Sequence, residues 1–210
     1  MLVGDEMITV ATLIWDANKH SRSFSTHYKE LDVEKLYRGF KRNLTIPFEF
    51  VCFTDRKRSF AEPILTERLS TDEPSYANCI EPYRLGKPMI LVGLDTVVTG
   101  NCDHLAEYCF TADRFALPRD PYNKSQACNG VALVPLHHER LASEHRGEND
   151  MVWVRKFPHH YTDDLFPGQI SSYKGHVERH GLGDTRICYF HGERKPHQLG
   201  HLPWIKEHWL

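Results

Sequence analysis

The rhythm of apolar and polar positions changes repeatedly along this chain, and each change marks an element. Residues 7–15 (MITVATLIW) are apolar and β-rich, which predicts a first strand. A polar, loop-like stretch, 16–28, follows. Val33, Leu36, Tyr37 and Phe40 then recur at helical spacing, with Asp32 expected as N-cap and Lys41-Arg42-Asn43 as the last turn. Residues 48–53 (FEFVCF) read as a second strand after Pro47, closed by Thr54-Asp55. This β-α-β order implies parallel pairing with a right-handed crossover. Residues 56–88 are proline-broken and weakly periodic, so an irregular connection is expected there.

An apolar run starting at Met89, between Pro88 and Gly93, fits a strand buried on both faces. Asp95 stands at its end, where open α/β sheets place ligands. Capping a turn is the other reading of that acid. Val97 and Val98 continue the apolar character, Gly100-Asn101 turns the chain, and Asp103 is expected to cap a helix starting at His104. Further on, residues 114–117, 128–134 and 186–190 read as strands, 122–126 as a flexible loop and 136–146 as a charged helix. Residues 164–176 look like a strand and loop turned by Pro167-Gly168. Trp204 and Trp209 fit a satellite core, an acceptor platform or a dimer contact.

Composition narrows the class. With 210 residues, 40% hydrophobic and 26% charged, the chain is expected to form one globular domain. A net charge of -2 provides no overall field for nucleic acid or acidic membrane. The six cysteines lack CxxC spacing and no signal peptide is evident, so reduced thiols and a cytoplasmic location are expected. The His137-His138 and His159-His160 pairs are expected at the surface. Neither GxGxxG nor GxxxxGK[ST] occurs, which removes the main support for Rossmann and P-loop phosphate cradles.

Several strings resemble the GT-A glycosyltransferases, especially family 8 and related uncharacterised bacterial and phage proteins. Residues 89–103 (MILVGLDTVVTGNCD) are similar to the DxD region, with Asp95 on the second aspartate and Gly93 where the family has the first. Residues 191–196 (HGERKP) are similar to the C-terminal HxGxxKPW motif, with His197 in place of tryptophan. The opening strand-helix-strand, Tyr83-Arg84-Leu85 before the acid, and residues 129–134 (NGVALV) are weaker matches. Asp150 falls on an aspartate of the family, while Met151 replaces its neighbouring glutamine.

The resemblance implies an α/β, GT-A-like single domain over residues 1–210, with a mostly parallel twisted sheet flanked by helices. Residues 1–103 would form a Rossmann-like nucleotide-binding half and 104–210 the sugar and acceptor half. It implies a metal-dependent hexosyltransferase using a nucleotide-diphospho-sugar, UDP-linked in the first instance. Asp95 and His191 would hold Mn²⁺ or Mg²⁺, and Gly192 and Lys195 the diphosphate. Thr12, Trp15, Asp16 and Asp55 would meet base and ribose, and Asn129 and Asp150 the donor sugar. Lys174 is a further lysine able to reach a phosphate. The acceptor (glycan, protein, small molecule or nucleic acid), the stereochemistry and any oligomer stay open. Loss of the first aspartate keeps a second reading in play, a nucleotide- or sugar-binding domain that no longer catalyses. An unrelated doubly wound nucleotide-binding protein is the third.

Overall fold

A computed structural model describes residues 7–21 and 27–210. Part of the polar stretch 16–28 therefore lies outside the described residues. The first strand, β1 (Ile8–Ile14), is buried throughout because it has a neighbour on each side and a core on each face. Ile8, Val10 and Ile14 point into one core and Ala11 and Leu13 into the other, as the period of two requires. Helix α1 (Glu30–Asn43) lays Val33, Leu36, Tyr37 and Phe40 on the first core. Its N-cap is Lys29. Asp32 sits three residues further on, and its carboxylate accepts from the Lys29 amide at 2.8 Å. The expected cap thus acts from inside the first turn.

Strand β2 (Phe48–Thr54) pairs parallel with β1, from Ile8 beside Phe48 to Ile14 beside Thr54. The supposedly irregular stretch holds an edge strand, β3 (Leu65–Arg68), parallel to β2, and a 3-10 segment at Tyr76–Leu85. That segment is opened by a Ser75 cap and closed by Gly86 at φ +61°. Strand β4 (Met89–Val92) lies on the other side of β1, also parallel and fully buried.

The chain then leaves the large sheet. After Gly93-Leu94-Asp95, β5 (Thr96–Val98) joins a second, three-stranded sheet. Helix α2 (Asp103–Thr111) follows, capped by Cys102 rather than Asp103. The Asp103 carboxylate instead accepts from the Thr45 amide and hydroxyl, at 2.7 and 2.6 Å, and fixes the α1–β2 turn.

Strand β6 (Ala116–Leu117) and β7 (Val131–Val134) return to the large sheet, β7 antiparallel to β4. The expected helix 136–146 shrinks to α3 (Arg140–Ser143), because His137 takes φ +66° and interrupts it. Helix α4 (Asp150–Val154), β8 (His160–Tyr161), α5 (Thr162–Leu165) and β9 (Ile170–Ser172) come next. A wide turn at Tyr173–Val177, α6 (Glu178–His180), β10 (Ile187–Tyr189) and α7 (Pro203–His208) complete the chain.

The large sheet runs β3-β2-β1-β4-β7-β6-β8 and the small one β5-β10-β9. Trp209 is buried in the first core, and Trp204 is half-buried and packs against that core on Phe190 and Tyr173. Of the two histidine pairs, His137 is exposed as expected, while His138, His159 and His160 are half-buried, His138 and His159 against Phe115. All six cysteines are free thiols, with Cys79 half-buried and the rest buried. No helix among the described residues is long and apolar enough to cross a membrane.

Candidate functional site

Strand register explains why distant residues meet. β1 and β4 end at the same edge of the large sheet, because they run parallel. β7 runs the other way and begins beside Val92, so Asn129-Gly130 lies next to Gly93, whose amide donates to the Gly130 carbonyl at 3.3 Å. Gly130 is needed here, since a Cβ would stand 2.8 Å from the Tyr189 ring. In the small sheet Tyr189 pairs with Thr96, and the Phe190 amide donates to the Asp95 carbonyl at 2.8 Å. His191 therefore emerges beside Asp95. Tyr189 also pairs with Ser172, which brings the Ser172 hydroxyl within 2.7 Å of His191 Nε2.

These elements enclose a cavity of about 230 Å³. Trp15, Asp95, Asn129, Asp150 and His191 line it, with Met151 at the place of the family's glutamine, together with Tyr28, Tyr76, Cys79 and Tyr189, which the sequence did not single out. Trp15 meets Tyr76 edge to face. Trp15 Nε1, Tyr28 Oη and Asn129 Oδ1 are buried with no hydrogen-bond partner among the described residues, so the wall offers polar atoms to a ligand. Burial pushes the Tyr28 phenol up, with help from the Asp95 and Asp32 charges.

Asp150 is the first residue of α4, whose cap Asn149 accepts from the Met151 and Val152 amides. Burial raises its carboxyl above the usual range, opposed by the Asn129 side-chain amide donating at 2.9 Å. His191 is shifted the other way. Burial and the Lys174 ammonium disfavour its protonation, against the Asp95 charge.

Not all the expected residues reach the cavity wall. Thr12 is fully buried within β1, with its hydroxyl unpartnered. Asp55 accepts from the Asp16 amide and from Arg58, both at 2.9 Å. The Asp16 carboxylate in turn holds Arg56 and Arg58. Gly192, at φ +70°, makes the turn after His191, and Lys174 Nζ lies 2.9 Å from where a Cβ on Gly192 would be. Lys195 is buried and donates to the Asp95 carboxylate. Arg84, of the expected Tyr-Arg-Leu match, pairs with Glu67 and Glu81 away from this site.

A larger cleft, about 730 Å³, opens between the 3-10 segment and α3. Its Glu81 already takes hydrogen bonds from Ser70, Asn78 and Arg84. The smaller cavity is the one that pairs acids with unpartnered polar groups.

The expected Mn²⁺ or Mg²⁺ ligands, Asp95 and His191, both line the cavity. They are one carboxylate and one imidazole, and the described residues contain no group of three side chains suited to a metal ion. Asp95 is neutralised by Lys195 and His191 Nε2 is bonded to Ser172. This donor set does not fit a divalent ion, which takes more oxygen or nitrogen ligands than two engaged side chains offer.

Comparison with known proteins agrees with this architecture. No family model and no curated protein sequence matches the chain. Among solved structures, the glycosyltransferase GlyE of Streptococcus pneumoniae TIGR4 superposes with a TM-score of 0.60 at 11% identity, over 97% of this chain and 63% of GlyE. The chain thus spans under two thirds of GlyE. The galactosyltransferase LgtC, solved with donor and acceptor sugar analogs, superposes with a TM-score of 0.53 at 11% identity, over 90% of this chain and 88% of LgtC. At this identity the likeness is one of fold. The chain has the mixed α/β, GT-A-like fold of these glycosyltransferases, a mostly parallel sheet flanked by helices.

Proposed function

We propose that this chain transfers a sugar from a nucleotide-diphosphate sugar, UDP-linked in the first instance, to an acceptor hydroxyl. The observation that supports this most is the convergence of Trp15, Asp95, Asn129, Asp150 and His191 on one cavity, beside a loop carrying Gly192 and Lys195. Trp15 would flank the base with its ring. Thr12, Asp16 and Asp55 lie behind that end and would act through the backbone and the Arg58 network. Gly192 lets the backbone approach the diphosphate closely, and Lys195 offsets the charge that grows on it as it departs. Asn129 and Asp150 would meet the sugar. In the reaction the anomeric C–O bond to the diphosphate breaks and its electron pair leaves with the nucleotide. The acceptor oxygen bonds to the anomeric carbon, and its proton goes to a base. Asp150 is suited to that task, because burial makes its carboxylate more basic than one in water.

A second reading, a binding domain without transfer, is favoured by Gly93, where the family carries a carboxylate. One experiment separates the two. The protein is incubated with UDP-glucose, UDP-galactose and UDP-N-acetylglucosamine and candidate acceptors, and free UDP is measured alongside UDP binding. Release of UDP above the buffer rate supports transfer. Binding without release supports the second reading, and neither binding nor release with any nucleotide would remove both.

A further inference from the structure

The weak donor set raises the question of what meets the diphosphate, and this step rests on the nucleotide-sugar reading above. Lys195 is unusual among the lysines because its side chain is only 4% exposed. A buried ammonium demands a counter-charge, and Asp95 provides it from 100 residues away. A divalent ion on Asp95 would sit against that ammonium and be repelled by it.

Gly93 reinforces the arrangement. Asp95 Oδ1 lies over it, 2.7 Å from where a Cβ would be, so a side chain there would push the Asp95 carboxylate off its present position. The space that a first aspartate would need is taken by the second. Around the turn, the Lys174 ammonium approaches Gly192 and forms no ion pair with any described carboxylate. His191 is bonded to Ser172, whose hydroxyl also accepts from the Gly175 amide at 3.0 Å. Two ammonium groups therefore act on His191, Lys195 anchored on Asp95 and Lys174 at the Gly192 turn without an acidic partner among the described residues. They leave positive charge beside the cavity for an anion.

We infer that Lys195 takes the place of a divalent cation in this chain: held on Asp95 and joined by Lys174 across the Gly192 turn, it binds the donor diphosphate without a metal ion. Lys195 bridges the fixed carboxylate and the diphosphate, and Lys174 neutralises the far side of the same group.

The test is calorimetric titration of UDP into chelator-dialysed protein, with and without Mn²⁺, for wild type, Lys195→Met and Lys195→Arg. The wild-type Kd is expected to change by less than about threefold between the two buffers, well under the tenfold that 1.4 kcal/mol represents. Lys195→Met should weaken binding about 30-fold in chelator, the loss of one charge-assisted hydrogen bond. It should regain part of that loss in Mn²⁺, because Asp95 is released. Lys195→Arg keeps the charge and should stay within about tenfold of wild type. Wild-type binding more than tenfold tighter in Mn²⁺ would overturn the inference while leaving the nucleotide reading intact. So would a Lys195→Met protein that binds as wild type in chelator. Failure of UDP, GDP and dTDP to bind in either buffer would instead overturn the nucleotide reading, and this inference with it.

Discussion

Two polar clusters sit at the strand ends of this molecule and have opposite characters. At the ends of β1 and β2, Asp16, Asp55, Arg56 and Arg58 pair with one another and Glu30 closes the ring around Arg58, whose Nε alone of the cluster's buried atoms lacks a partner among the described residues. Beyond β4 and β10, Asp95 pairs with Lys195, His191 with Ser172 and Asp150 with Asn129, while Asn129, in the cavity wall, keeps Oδ1 without a partner among the described residues. Both clusters are rich in charge and both follow apolar strands. What separates them is whether the residue with an unpartnered atom lines a cavity, as Asn129 does and Arg58 does not. Closed ion pairs stabilise, whereas a buried polar group left short of a partner in a cavity wall is set up to receive a ligand.

The Arg58 cluster should cost the most stability when broken. Arg58 has a side chain only 1% exposed and loses its most buried partner in Asp55→Ala. Removing one partner of a buried pair costs 3–5 kcal/mol, and the lower figure of about 3 applies here because Asp16 and Glu30 remain. Urea unfolding measures it. A change under about 0.5 kcal/mol, the surface value, would show that the cluster is not structural.

Asp150→Asn should do the reverse. Acceptor-dependent UDP release should fall by about 100-fold or more if Asp150 takes the acceptor proton. Stability at neutral pH should hold or rise. Burial raises the folded carboxyl above its unfolded value, so its contribution is fully present below the unfolded range and is lost as pH rises through the folded one. The amide has no such loss, and the variant's thermal midpoint should gain on wild type as pH rises from the unfolded carboxyl range to neutrality. Equal turnover in the two proteins would remove Asp150 from the chemistry and leave it a structural acid.

The contrast also shows what the sequence could reveal. β1, β2, β4, β7 and β10 are apolar runs with clear punctuation, and the helical face of α1 is periodic, so these were legible. β3 (LTER) is exposed at every position and joins the sheet through its backbone, a pairing that no side-chain pattern announces. The Asp32 and Asp103 caps were misplaced because an acid near a helix start can bond outward: Asp103 takes Thr45 instead. The residues that gather at the cavity were marked by motif and by strand ends. Their pairings were not, since Ser172 with His191 depends on the register of β9 against β10. Tyr28, Tyr76 and Cys79 gave no signal, as apolar walls look like any core.

The smallest effect tests the Arg58 cluster by pH. The Asp16 carboxyl is lowered from 3.8 to about 2, first by its hydrogen bond to Arg56 and then by Arg58, against a burial effect that raises it. Its folded value is depressed, so its contribution is present above the unfolded value near 3.8 and is lost as pH falls through about 2. The side chain is 57% exposed, so solvent screening leaves roughly 0.5 kcal/mol. Asp16→Asn should therefore lie that far below wild type at pH 5, in acid unfolding followed by circular dichroism. The two curves should converge towards pH 2 as the wild-type acid protonates. High salt should narrow the gap, because these charges face water on one side. Parallel curves down to pH 2 would mean that Asp16 contributes through its shape rather than its charge, and the network of charges would then reduce to Arg58 with Asp55 and Glu30.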